Sequence, residues 1–200
     1  MKTVYNFNKA EGISEDFEYA LSAAQKECPK FRLYDDFIGN YDMGDTSVKG
    51  NVHDYDYISL VTRKKYKNGV KFSLKCSFEK FGAPLLVLCN DISERPDGVK
   101  EYGLHFEVVA YERGCNVWHI IPFPENVNRP IKVLKTGNAQ FSLEGGEMID
   151  LTCEVKGKYL HINVNGNEFI CGDPMISEEF HIGFTACEGR NNIYSLTIEE

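Results

Sequence analysis

Gly103-Leu-His-Phe-Glu-Val-Val-Ala-Tyr-Glu-Arg-Gly-Cys-Asn-Val-Trp-His-Ile-Ile121 alternates apolar and polar residues on both sides of a glycine-bearing turn. That is the pattern of a β-hairpin with one face against a core. In its first strand Phe106, Val108 and Ala110 share one face, while His105, Glu107, Val109 and Tyr111 share the other. The apolar set belongs to the core, so His105, Glu107 and Tyr111 face outward or into a groove. The return strand admits two registers. A two-residue Arg113-Gly114 turn puts Asn116 and Trp118 beside Glu107, whereas a three-residue Glu112-Arg113-Gly114 turn puts His119 opposite it. The apolar count favours the first register; the poor fit of arginine to a type I′ position favours the second.

Working outward, similar runs recur at 31–38, 57–65, 70–81, 85–92, 131–134, 149–155, 159–164, 168–171, 180–187 and 193–198, separated by glycine, proline and asparagine. Asn165-Gly166 is a strong type I′ turn signal. A two-residue Lys156-Gly157 turn would set Leu151 and Cys153 on one face with Leu160 and Ile162. A three-residue Lys67-Asn68-Gly69 loop would pair Ile58, Leu60 and Thr62 with Phe72, Leu74, Cys76 and Phe78. The opposite face of that hairpin, including Arg63, Lys71, Ser73 and Lys75, is polar and reads as a wet sheet surface or a shallow groove. One helix is expected near the start, capped by Ser14, with Phe17, Leu21 and Ala24 at helical spacing and Pro29 as its stop. No second helical pattern supplies a βαβ crossover, so the fold class is an all-β antiparallel sandwich or jelly roll. Residues 1–30 read as an extension carrying the helix and 31–200 as the sandwich domain, together one compact unit.

Composition narrows the function classes. With 30 acidic against 22 basic residues the chain carries a formal charge of −8, the wrong sign for collecting phosphate backbones, so no nucleic-acid partner is expected. No apolar run approaches the length of a membrane span, and the first residues lack the apolar stretch of a signal peptide, so a cytoplasmic protein without a membrane partner is expected. The seven cysteines are odd in number and include no Cys-x-x-Cys, which argues for reduced core thiols over a disulfide framework or zinc site. There is no Gly-x-Gly-x-x-Gly, P-loop, Gly-x-Ser-x-Gly or His-Glu-x-x-His motif. The acidic cluster Asp35, Asp36, Asp42, Asp45, Asp54 and Asp56 lacks the spacing of an EF-hand loop and reads as a solvated turn-rich segment. No cofactor is expected from these patterns.

The hairpin over 103–121 is the chemically informative part. In either register it gathers a carboxylate, an imidazole, a phenol and one further ring. Sugar sites need this mixture, because aromatic faces cover C–H patches while carboxylates and amides accept hydroxyl protons.

Tyr34-Asp35-Asp36-Phe37, Phe81-Gly-Ala-Pro84, Gly103-Leu-His-Phe-Glu107, Asn116-Val-Trp-His119 and Phe180-His-Ile-Gly-Phe-Thr-Ala-Cys-Glu-Gly189, in this strand order, resemble the concanavalin A-like lectin/glucanase superfamily, in its bacterial members rather than the legume lectins. The resemblance covers roughly residues 31–198. It implies two curved antiparallel sheets with carbohydrate on the concave face, as a binder, a glycosidase or a polysaccharide lyase, and in some members calcium at the sandwich edge. Its laminarinase-type members use a Glu-x-Asp-x-(x)-Glu strand, and no Glu-x-Asp occurs here. Glu107 and Glu112, five residues apart, point to opposite faces of a regular strand and cannot flank one glycosidic bond. The leading expectation is therefore binding of an oligosaccharide or glycoside by Glu107 with His105, Tyr111, Asn116, and Trp118 or His119. An enzyme on the same face is the alternative, a hydrolase through Glu107 or a lyase through His105 and Tyr111, with Lys75 or Arg63 neutralising a uronate. A protein-interaction module that has lost the site is a third reading. The oligomeric state is not legible.

Overall fold

The computed structural model describes residues 1–22, 41–50, 58–79, 82–96, 98–123, 131–185 and 190–200. They form eighteen strands: β1 (Lys2–Asn6), β2 (Phe17–Ser22), β3 (Tyr41–Met43), β4 (Val48–Gly50), β5 (Ile58–Thr62), β6 (Tyr66–Lys67), β7 (Lys71–Phe78), β8 (Leu85–Cys89), β9 (Ile92–Glu94), β10 (Lys100–Tyr102), β11 (His105–Tyr111), β12 (Gly114–Pro122), β13 (Ile131–Gln140), β14 (Ile149–Lys156), β15 (Tyr159–Val164), β16 (Asn167–Gly172), β17 (Glu179–Thr185) and β18 (Asn191–Glu199). An eight-stranded sheet runs β16-β15-β14-β7-β18-β4-β3, with β1 also paired to β18. A ten-stranded sheet runs β13-β12-β11-β8-β17-β5-β2-β10-β9, with β6 paired to β17. The apolar faces of the two sheets meet in one core that includes Phe72, Leu74, Leu86, Phe106, Leu160 and Phe184. Among the described residues no helix is long and apolar enough to cross a membrane.

The expected N-terminal helix is corrected. Phe17–Ser22 is a strand, antiparallel to β5 and parallel to β10, and β1 lies antiparallel to β18. Residues four apart share a face in a strand as well as in a helix, so Phe17 and Leu21 satisfied both periods; the intervening Tyr19 packs on the same core and decides for period two. Ser14 makes a turn instead of a helical cap: its Oγ accepts the Asp16 N–H at 3.2 Å, and its carbonyl accepts that of Phe17 at 3.1 Å. The continuation of the expected helix beyond residue 22 and the expected strand over 31–38 lie outside the described residues.

The hairpin expected around Asn68-Gly69 is also corrected. β5 pairs with β2 and β17 in the ten-stranded sheet, whereas β7 pairs with β14 and β18 in the eight-stranded one. The chain crosses the sandwich between them. Ile58 and Leu60 do share a core with Phe72 and Leu74, but from opposite sides of it. Elsewhere the turns follow local chemistry. Asn165 and Gly166 both have positive φ, 49° and 88°, as a type I′ turn requires. The preceding hairpin turns at Gly157-Lys158, one position later than expected, with the same faces buried.

β11 and β12 turn through Glu112-Arg113, so that Tyr111 pairs with Gly114 and Glu107 pairs with Trp118. Gly114 carries φ +138°, and a Cβ there would lie 2.1 Å from the Ala139 carbonyl oxygen on β13. Glycine at this position fixes the register of three strands. A bulge in the β12–β13 ladder moves the pairing from Val117–Gly137 to Trp118–Lys135.

Candidate functional site

The outward face of the ten-stranded sheet carries a cross-strand row of Val87, Glu107, Trp118 and Lys135 on β8, β11, β12 and β13. The Lys135 ammonium sits 4.9 Å from the centre of the Trp118 ring, a cation–π pair. One pair further along, Asn116 lies opposite Val109. Trp118 and Asn116 are half-buried, Lys135 is exposed, and Glu107 retains 6% exposure.

Glu107 takes its hydrogen bond from within the protein. His105 Nε2 lies 3.2 Å from Glu107 Oε1 and 3.0 Å from Ser22 Oγ, and His105 Nδ1 donates to the Gly103 carbonyl at 2.6 Å. A carbonyl only accepts, so Nδ1 carries a hydrogen, and the contact to Glu107 is attractive only when a second proton lies between Nε2 and Oε1. The imidazole ring, fully buried, rests edge-on against Tyr102 at 4.7 Å between centroids.

Tyr102 closes part of this face. Its hydroxyl lies 2.6 Å from Ser59 Oγ, which in turn bonds to Thr185 Oγ1. Burial and, next, the nearby Glu107 carboxylate push its phenol well above the ordinary range, so it keeps its proton. Around it Ala20, Val61, Leu85, Val87 and Cys89 form a second apolar cluster, on the outward side of the sheet. The sheet must curl to allow this. β2 and β11 are four strands apart in the ladder, about 19 Å on a flat sheet, yet Ser22 reaches His105 at 3.0 Å.

Of the residues expected to share this site, the structure brings together His105, Glu107, Asn116 and Trp118, with half-buried Tyr111 on the same strand face at the end of β11. The register that placed His119 opposite Glu107 is corrected: His119 pairs with Phe106 and points between the sheets. It stacks on the Phe106 ring at 4.3 Å and donates from Nδ1 to Asp173 at 2.9 Å, leaving a buried Nε2 with no hydrogen-bond partner. Burial lowers its pKa, against the pull of Asp173. The pairing of Lys75 with this site is corrected too, because Lys75 stands on the outer side of the other sheet, between Asp150 and Ser195. Arg63 follows β5 and binds Glu18 at 2.8 Å, three strands from β11. Sequence reading missed Ser22, Tyr102 and Lys135. Lys135 was within reach, as it continues the alternation beyond Leu134; Tyr102 comes from the short strand that leads into β11, and Ser22 arrives only through the curl.

The expected acidic cluster lies mostly outside the described residues, and among those described no group of three His, Cys, Asp or Glu is placed to hold a metal ion. A second groove of about 580 Å³ lies on the outer side of the eight-stranded sheet, beside Glu154, Asn163 and Glu168. Its carboxylates are already engaged, Glu154 by Lys156 at 2.9 Å and Glu168 by Asn163 at 2.9 Å.

No family model and no curated sequence matches the chain. Solved structures do resemble it. A glycoside hydrolase family 16 endo-glucanase from Bacteroides ovatus superposes with a TM-score of 0.67 at 11% identity, over 98% of this chain and 99% of that one. A carbohydrate-binding module, CBM66 from Bacillus subtilis, gives 0.52 at 11% identity over 80% and 91%. A Bacillus subtilis protein described as having a galectin-like fold gives 0.59 at 9% identity over 96% and 92%. At such identities the likeness is one of fold. The two curled sheets and these neighbours give the chain a concanavalin A-like jelly-roll fold.

Proposed function

We propose that this protein binds a carbohydrate on the outward face of β11–β13, with Trp118 as the stacking platform and Glu107 as an acceptor of sugar hydroxyl hydrogens. The observation that carries the reading is the direct pairing of Glu107 with a half-buried tryptophan across adjacent strands. An aromatic face beside a carboxylate is what a pyranose ring, apolar on its C–H side and polar at its rim, requires. The fold of the neighbours, which include a carbohydrate-binding module and an endo-glucanase by their own descriptions, agrees with a carbohydrate ligand.

Binding is favoured over hydrolysis by the state of the carboxylates. A retaining or inverting mechanism needs two carboxyl groups facing each other across the scissile bond. Glu18 shares the cross-strand row of Glu107 but lies four strands away in the ladder, held by Arg63 at 2.8 Å and Lys100 at 2.5 Å. The lyase route is weakened because the fully buried His105 ring has both nitrogens engaged.

A thermal-shift screen against mono- and oligosaccharides, uronates included, tests the proposal. A ligand at 100 times its Kd adds about 2.7 kcal/mol, a midpoint rise of about 5–10 °C for a chain of this size. The rise is expected to vanish in Trp118→Ala and Glu107→Ala. A hit that both variants retain places the ligand elsewhere and removes the reading.

A further inference from the structure

Resting on the carbohydrate reading, we infer that the site takes the end of a glycan chain or a short oligosaccharide, and excludes the interior of a polymer. A cleft that threads a polysaccharide must stay open at both ends. Here the sheet face is accessible over β11–β13 and closed on two sides. Toward β8 the outward-facing Val87 is 0% exposed, and beyond it Val61, Ser59 and Thr185 are also at 0%. Tyr102 lies over these strands, with its hydroxyl on Ser59 and its ring edge on His105. Ser22, folded over from β2, completes the wall at His105 Nε2.

The second closure lies along the strands. His105 and Ile120 are paired neighbours on the same outward face, one position past Glu107 and Trp118, and they are 0% and 1% exposed. Ile120 clusters there with Ile131 against the side of Trp118. A chain lying across the strands therefore stops at the Tyr102–His105 wall, and one lying along them stops at Ile120. The accessible corner opens toward Tyr111, Asn116 and the exposed β13 edge, so a glycan enters from there and ends against Glu107. β11 to β13 spans two inter-strand spacings, about 10 Å, room for about two or three sugar rings.

Trp118 is the sole tryptophan of the chain, so its intrinsic fluorescence reports occupancy of this corner directly. The test titrates the intact protein with linear gluco-, manno-, xylo- and galacturono-oligosaccharides of two to six rings, and with the parent polymers before and after partial hydrolysis. Affinity should level off by the trisaccharide. Binding per gram of polymer should follow the number of chain ends, rising about tenfold when chains are cut to a tenth of their length. Affinity that keeps tightening with each ring to the hexasaccharide, or binding per gram indifferent to chain length, overturns the chain-end inference while leaving the carbohydrate reading intact. A tryptophan signal unmoved by every glycan, together with a flat thermal-shift panel, overturns both.

Discussion

At the scale of single residues the molecule separates two kinds of polar group on one strand. Glu107 keeps 6% of its surface exposed beside the half-buried Trp118, and His105, two residues earlier, is wholly interior. The histidine orients the carboxylate and is held in turn by Gly103 and Ser22. His105→Ala is expected to destabilise the fold by about 1–3 kcal/mol, because it leaves the nearly buried Glu107 carboxylate without its imidazole partner. Glu107→Gln, which keeps the shape and offers Nε2 an amide donor, should cost less than ~1 kcal/mol and yet weaken sugar binding. Urea unfolding of the two variants side by side checks the contrast, and equal losses refute the assigned roles. Much of this was legible in the sequence, since strand parity alone puts Glu107 and His105 on one face. What parity does not carry is depth. The same face runs from exposed Lys135 to buried His105, and that gradient comes from Tyr102, on the short strand just before β11, and from Ser22, far from it in sequence. The cysteines were readable for a related reason. Among the described residues five are free and buried, their thiols pushed up by burial, Cys171 to about 11. Apolar neighbours in the sequence already mark such positions as core.

At the scale of elements, the β11–β12 hairpin sets the site, and its geometry turns on one glycine. The Glu112-Arg113 turn was the outcome least visible beforehand: it slips the pairing by two residues from that of an Arg113-Gly114 turn and by one from that of the three-residue turn. It preserves the parity that joins Trp118 to Glu107, and its cause is in a third strand: β13 passes so close to Gly114 that no side chain fits. Gly114→Ala is expected to lose at least ~2 kcal/mol through φ strain and the backbone clash, a midpoint fall of about 4–8 °C. The variant should also lose any sugar-dependent thermal shift, because Trp118 moves with β12. A Gly114→Ala protein with an unchanged midpoint would show that the turn has another solution. The Phe17–Ser22 segment teaches the converse lesson. Spacing of four residues is shared by both periodicities, so it took the pairing partners β5 and β10, not the pattern, to settle the element.

At the scale of the whole molecule, two buried histidines tie strands together, His119 across the two sheets and His181 within one. His119 spans the gap to Asp173 at the end of β16, and His181 donates to the Thr62 carbonyl at 2.7 Å on the same curled sheet. Both have pKa values lowered from 6.5, with burial as the largest cause. Below about pH 6.5 the unfolded chain binds protons that the native one refuses, so stability is full at neutral pH and declines as the pH falls toward the native values. Urea midpoints should therefore drop between pH 7.5 and 5.5, less steeply in His119→Gln, which keeps a donor for Asp173. A midpoint that is flat over that range contradicts the assignment. Whereas β1, β3, β4 and β6 fall outside every expected run and β2 inside the expected helix, sandwich class and the longer strands were legible because alternation is a local property. The sheet each strand joins was not: β5 and β7 are near neighbours in sequence but sit on opposite sides of the core. The same long-range wiring governs how the molecule is made. β1 pairs with β18, Lys2 against Glu199, and β18 is also the partner of β7. On the ribosome β1 has no mate until β18 has emerged, so the eight-stranded sheet closes late, and assembly is slow for so long-range a pairing. Until then β7 and β1 stand as open edges, and a chaperone that shields them has more to do for this protein than for one whose strands pair as they emerge.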